Sequence, residues 1–304
     1  MNPLMSEQKH KILSTVIVTM TAFLGFEALS FSIGIYQLKS SLFLSFYIYA
    51  FHILWLTFVF DLHFKERGII DVIKLNHRGL KLFWEALKLR FKYMANWQHW
   101  RHYQNHLVLP GLAYWSTVIL LFLNPFNSGL KQALVIFATI TMAVGYWFFH
   151  EHISRHLEVV NWGIKILSVV KLFVAFMVYS ALVGVTSYFG YDVWFLLLAT
   201  FTLTFLLIYQ ALFQHNLLTF SIFLWIVIIA MVMAIVSMWV YGNWNAQYFS
   251  AGVVMLAIYN TLWGLLHHYL DRSLTRTVVL EYLVMLLLVI SILFASHNFN
   301  QRVL

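Results

Sequence analysis

Apolar residues run through this chain in long unbroken stretches, separated by short polar breaks. Nine stretches lie near 12–37, 40–62, 107–125, 130–149, 161–187, 192–212, 217–241, 246–268 and 277–296. Each is long enough, or nearly so, to cross a hydrocarbon core about 30 Å thick, which takes about 20 residues of helix. The runs are continuous and do not alternate, which excludes membrane β-strands. The pattern predicts an all-α, polytopic integral membrane helical bundle of about nine transmembrane helices, with residues 1–304 forming a single membrane domain.

The one long polar interruption, 63–106, differs in kind from the short turns such as Asn124–Gly129 and Tyr241–Ala246. Within it Leu80, Phe83, Leu87, Phe91 and Met94 recur at helical spacing, while Lys81, Glu85, Lys88 and Lys92 take the other face. Such a helix lies in the membrane interface with its apolar side down, as an anchor or as a gate for a lipid substrate.

Orientation follows from the basic residues, which accumulate in cytoplasmic loops. The 63–106 loop carries Lys65, Arg67, Lys74, Arg78, Lys81, Lys88, Arg90, Lys92 and Arg101, so it is expected to be cytoplasmic. Counting outward places the N-terminus, with Lys9 and Lys11, on the same side, together with the turns at Arg155, His215, and Arg272 to Arg276. The opposite side receives Lys39, Lys131 and Arg302, and the C-terminus with His297. The first apolar run is too long, and lacks a small-residue cleavage site, for a removable signal peptide; it reads as a retained span. A prokaryotic inner membrane is the expected location.

Composition narrows the chemistry. With 62% hydrophobic and 10% charged residues and a mean hydropathy of +0.80, no soluble domain of this size could hide its apolar surface. The net charge of +8 is distributed around the spans, so its counterpart is anionic lipid headgroups and not nucleic acid. Cysteine is absent, which removes disulfides, thiolate metal sites, iron–sulfur clusters and cysteine nucleophiles together.

Histidine is the residue whose placement points to chemistry. Of 14 in the chain, most fall at the ends of apolar runs that the topology places on one side: His99, His102 and His106; His150, His152 and His156; His215; and His267 with His268. The first three are spaced i, i+3, i+7 and share a helix face. His152 and His156 form an i, i+4 pair, the spacing at which one helix offers two imidazoles to one cation. His267 and Asp271 repeat that spacing, making the aspartate a ligand or the acceptor that orients the ring, while His268 points elsewhere. Imidazoles also favour interfaces on their own account, and His52, His63, His77 and His297 are read as structural or solvated. Independent interface preferences would populate both sides of the membrane.

Nitrogen donors without thiolate favour iron, copper, zinc or nickel over magnesium or calcium. The run His150-Glu-His-Ile-Ser-Arg-His156 does not match the His-Glu-x-x-His of zinc hydrolases. Acids near the same ends are few (Asp61, Glu151, Glu158, Asp271 and Glu281), fewer than a carboxylate-rich diiron site would use. A mainly histidine-ligated iron follows.

Two families look similar. Membrane fatty-acid desaturases and hydroxylases carry histidine boxes at the cytoplasmic ends of helices, which His99-Trp-Arg-His102, the His150 to His156 run and His267-His268 loosely resemble, although none reproduces the His-x-x-His-His box. The bacterial membrane carotene dioxygenases related to the bacteriorhodopsin-related protein are similar in length, hydrophobicity and span number. Their His-Ser-x-Arg-His box resembles Phe148-Phe-His-Glu-His-Ile-Ser-Arg-His156, and their late histidine followed by an acid resembles His267-His268-Tyr269-Leu270-Asp271; their early Gly-x-Pro-His-Gly box is missing. The resemblance implies a membrane non-haem iron oxidoreductase acting on a lipid or isoprenoid with a redox partner. Its expected metal ligands are His102, His106, His152, His156 and His267, with Asp271 orienting or ligating and Arg155 positioning an anion.

Two other classes compete. Glu27 in the first span and Lys171 in the fifth are costly in hydrocarbon, and they point either to a structural ion pair or to a transporter or proton pathway. A bis-histidine haem, held for example by His106 with His152 or His156, would make the chain an electron-transfer subunit.

Overall fold

The computed structural model describes residues 3–35, 38–61, 84–85, 88, 97–124, 127–154, 161–214, 220–244 and 247–296. Among them are nine long helices and no strands. They are α1 (Pro3–Ile35), α2 (Leu38–Asp61), α3 (Trp97–Leu123), α4 (Ser128–Ser154), α5 (Asn161–Phe189), α6 (Val193–Gln214), α7 (Phe220–Trp244), α8 (Tyr248–Leu270) and α9 (Arg276–Ser296). Seven of them, α1 and α4 to α9, contain windows long and apolar enough to cross a membrane. The protein is an all-helical, multi-pass membrane protein, as the hydropathy pattern requires.

The helices overrun the apolar stretches that define them. α3 starts at Trp97, ten residues before the apolar run at 107, so His99, His102 and His106 share a helix with the span. α4 likewise continues through His150 and His152 to Ser154. A helix satisfies its own backbone hydrogen bonds in water and in lipid alike, so its ends need not coincide with the membrane boundary. Of the amphipathic stretch in the 63–106 loop, Trp84, Glu85 and Lys88 are described; they are helical and exposed, and the rest lies outside the described residues.

Contacts divide the chain into two compact units, Met1–Tyr114 with Asn124–Val170, and Trp115–Leu123 with Lys171–Leu304. In the first unit α1 packs on α2 and α4. Its core contains Phe26 and Leu29 from α1, Leu109 and Tyr114 from α3, and Val135 and Ala138 from α4. Tyr114 donates its hydroxyl to the Ser45 carbonyl of α2 at 2.7 Å. Asn127 caps α4, its side-chain oxygen accepting the Leu130 N–H at 2.9 Å.

In the second unit α7 packs on α6 and α8, and α8 on α9. Small residues permit the close approaches, as expected where lipid supplies no hydrophobic drive and packing must bind helices together. A Cβ on Gly252 of α8 would meet Ser180 of α5, and one on Gly264 would meet the ring of Tyr282 of α9. α5 ends at Gly190 (φ 62°), where Tyr191 N–H returns to the Thr186 carbonyl at 3.1 Å. On α9 the apolar window Arg276–Ala295 has no buried residue, with Leu280, Val284, Met285 and Leu287 among its exposed side chains. Hydrocarbon is the solvent such a surface fits.

Candidate functional site

The turn from α8 to α9 brings together His267, His268, Asp271 and Ser273 in the second unit. α8 ends in a Schellman motif: Ser273 N–H reaches back to the His268 carbonyl at 2.9 Å and Arg272 N–H to the Tyr269 carbonyl at 3.2 Å. The left-handed residue the motif needs is Arg272, at φ 55°, where glycine is usual. Asp271 caps the helix immediately before it. Thr275 then starts α9, its hydroxyl accepting the Val278 N–H at 3.3 Å.

This reversal sets two histidines to different tasks. His267 Nδ1 lies 3.1 Å from Asp271 Oδ2, and its ring meets Trp263 edge-on at 5.9 Å. His268 Nδ1 lies 2.8 Å from the Ser273 hydroxyl, and its ring meets Tyr282 at 5.9 Å. The two imidazole planes stand at 82° to one another, and each ring has its own partners. Nδ1 of His267 thus faces a carboxylate, the arrangement that fixes a ring's tautomer and orientation. The side chains of His267 and Asp271 are 36% and 49% exposed, so the pair is open to a reactant and adds little to stability.

Of the expected ligand set, His267 is the member whose side chain is described, and Asp271 meets it as the i, i+4 spacing requires. His102 and His106 are carried by α3 and His152 by α4, with side chains outside the described residues. Arg155 and His156 lie wholly outside them, as do His63, His77, His215 and His297. Among the described residues no three histidine, aspartate or glutamate side chains gather as a metal-binding group. Glu27 is half-buried in α1 of the first unit, and Lys171 half-buried in α5 of the second.

His52, read from the sequence as structural or solvated, is 2% exposed in the first unit. The signal was present: Ser41, Ser45, Tyr49 and His52 fall on one face of α2 inside an otherwise apolar run.

The comparisons with known proteins place the chain by sequence. The model of a family described as a protein of unknown function, DUF5656, matches residues 86–296, which include all of α3 to α9. No curated protein and no solved structure gave a match. Because that match spans more than half of its length, the chain belongs to the DUF5656 family.

Proposed function

We propose that the chain is an integral membrane, metal-dependent oxidoreductase, a histidine-ligated non-haem iron enzyme that acts on a lipid or isoprenoid. The observation that carries this reading is the His267–Asp271 pair. A ligating imidazole gives its second ring nitrogen to a carboxylate or carbonyl, which fixes the ring and raises its basicity. His267 meets that requirement at 3.1 Å, at the end of a helix apolar enough to span a membrane. A greasy substrate and an aqueous reductant can both reach such a place.

In this reading the nitrogen donors to the iron are His102, His106, His152, His156 and His267. Asp271 holds the His267 ring in one tautomer and orientation. Arg155 is the cation for a substrate anion. Bound iron supplies the activation of dioxygen, with electrons from a redox partner. The helices orient the substrate and exclude water from it. The histidine clusters and the N-terminus face the cytoplasm of a prokaryotic inner membrane, where the basic loop meets anionic headgroups.

The test is mass spectrometry of lipids and isoprenoids from membranes carrying the wild-type protein or His267→Ala. Wild type yields species heavier by an oxygen atom or lighter by two hydrogens, and these vanish in the variant. Identical profiles from wild-type, variant and protein-free membranes contradict the proposal.

A further inference from the structure

One side of α9 is packed and the other is bare. The packed side carries Tyr282, whose ring lies against Gly264 and His268 of α8, and Phe294, whose ring meets Trp244 of α7 at 4.7 Å. On the bare side Thr277, Leu280, Val284, Leu287 and Ser291 are all exposed, at successive spacings of three, four, three and four residues. That is the heptad spacing by which one helix packs along another. Exposure picks the stripe out where hydropathy does not, because α9 is apolar on nearly every face.

Lipid would suffice to cover this stripe but for the two charges that border it. At about 100° per residue, Arg276 and Glu281 lie about 140° apart round α9, and the stripe falls in the arc between them. Both are exposed, and neither has an ion-pair partner among the described residues. Five places apart, they do not face each other within one helix, where neighbours are three or four residues apart. Glu281 sits about 7.5 Å along a helix about 32 Å long, so it lies inside the hydrocarbon when α9 spans. A carboxylate facing lipid at that depth is costly and calls for a partner.

A second copy of the chain supplies one. Copies inserted in one membrane share an orientation, so a two-fold axis along the membrane normal brings α9 to α9 in parallel, like residues at like depth. With Thr277, Val284 and Ser291 at the a positions and Leu280 and Leu287 at d, Arg276 is a g residue and Glu281 the e residue five places on. In a parallel pair of helices the g residue of one faces that e residue of the other, and charges there set partner and orientation. The two-fold axis makes the pair twice. Ser291 is small enough to let the backbones approach, and the Thr277 and Ser291 hydroxyls can bond across the seam.

We propose that the exposed stripe of α9 is the interface of a parallel homodimer, flanked by two Arg276–Glu281 pairs between the copies. The interface lies within the residues matched by the family and does not depend on iron.

The chain has no cysteine, so in purified protein a single introduced one can cross-link only to its counterpart in another copy. A disulfide needs Cα atoms within about 7 Å of each other. In liposomes carrying the full chain, Val284→Cys should oxidise to a covalent dimer several-fold more completely than Met285→Cys, the exposed neighbour that falls outside the arc. Glu281→Arg, added to Val284→Cys, should cut the cross-linked fraction several-fold, and a further Arg276→Glu should restore it. A Val284→Cys chain that stays monomeric overturns the proposal and leaves the stripe to lipid or to a different protein. Equal cross-linking at 284 and 285 overturns it as the mark of random collision. So does a charge reversal without effect, or one that the second reversal fails to rescue.

Discussion

Nδ1 of His267 and Oδ2 of Asp271 stand 3.1 Å apart across one turn at the end of α8. Both side chains are partly exposed, so the pair belongs to the class of ion pairs that contribute about 1 kcal/mol or less. Asp271→Asn should therefore leave the unfolding midpoint in detergent nearly unchanged. If His267 ligates a metal, the same substitution removes its orienting carboxylate and should weaken metal binding about 10- to 100-fold. Competition with a chelator, read beside a thermal melt, separates the two effects.

Gly252 and Gly242 make a matched pair of tests for helix packing. A Cβ at Gly252 would collide with the Ser180 side chain and lie 3.1 Å from its Cα, and a backbone atom cannot rotate away. Gly252→Ala should cost about 1–3 kcal/mol, the usual range for overpacking. Gly242 has nothing within 4 Å of the same position, so Gly242→Ala should be neutral or gain up to about 1 kcal/mol from helix propensity. Denaturation of both variants in the same detergent checks the sign of each.

Arg272 holds a left-handed conformation at φ 55° where the Schellman motif normally uses glycine. Arg272→Gly should stabilise the chain by about 1 kcal/mol by removing the Cβ clash. Arg272→Val should destabilise by at least as much, because a β-branched residue tolerates that region worst. Melting curves that rank Gly above Arg above Val bear this out; a rank with Gly lowest shows that the arginine side chain itself holds the turn.

Tyr114 links α3 to α2 through its hydroxyl and the Ser45 carbonyl. Tyr114→Phe keeps the ring contacts with Phe26, Tyr49 and His52 and removes that bond. A loss of about 1 kcal/mol is expected, as for a buried neutral hydrogen bond. Equilibrium unfolding of the variant measures it.

Hydropathy carried most of the fold, because the only solution open to a long apolar run in lipid is a helix. The span expected near 192–212 appears as Val193–Gln214, and that near 277–296 as Arg276–Ser296. The ends were less legible: α3 begins ten residues before its apolar run because a helix can continue past the membrane boundary. The His267–Asp271 contact was legible because i, i+4 spacing fixes a neighbour within one helix. The partners of His268 were not, since Ser273 and Tyr282 are brought to it by a turn whose left-handed residue is an arginine. Nor was the burial of His52, which depends on Gly25, Phe26 and Tyr114 from two other helices. Contacts between helices leave no periodic trace in a chain that is apolar on almost every face.

Element-resolved metal content with an optical spectrum, on detergent-purified protein carrying no histidine tag, decides whether the chain holds a histidine-ligated iron. Stoichiometric iron without a Soret band is expected, reduced in His267→Ala while that variant still inserts. A colourless, metal-free and stable wild-type protein would contradict it, and a Soret band would replace non-haem iron with haem.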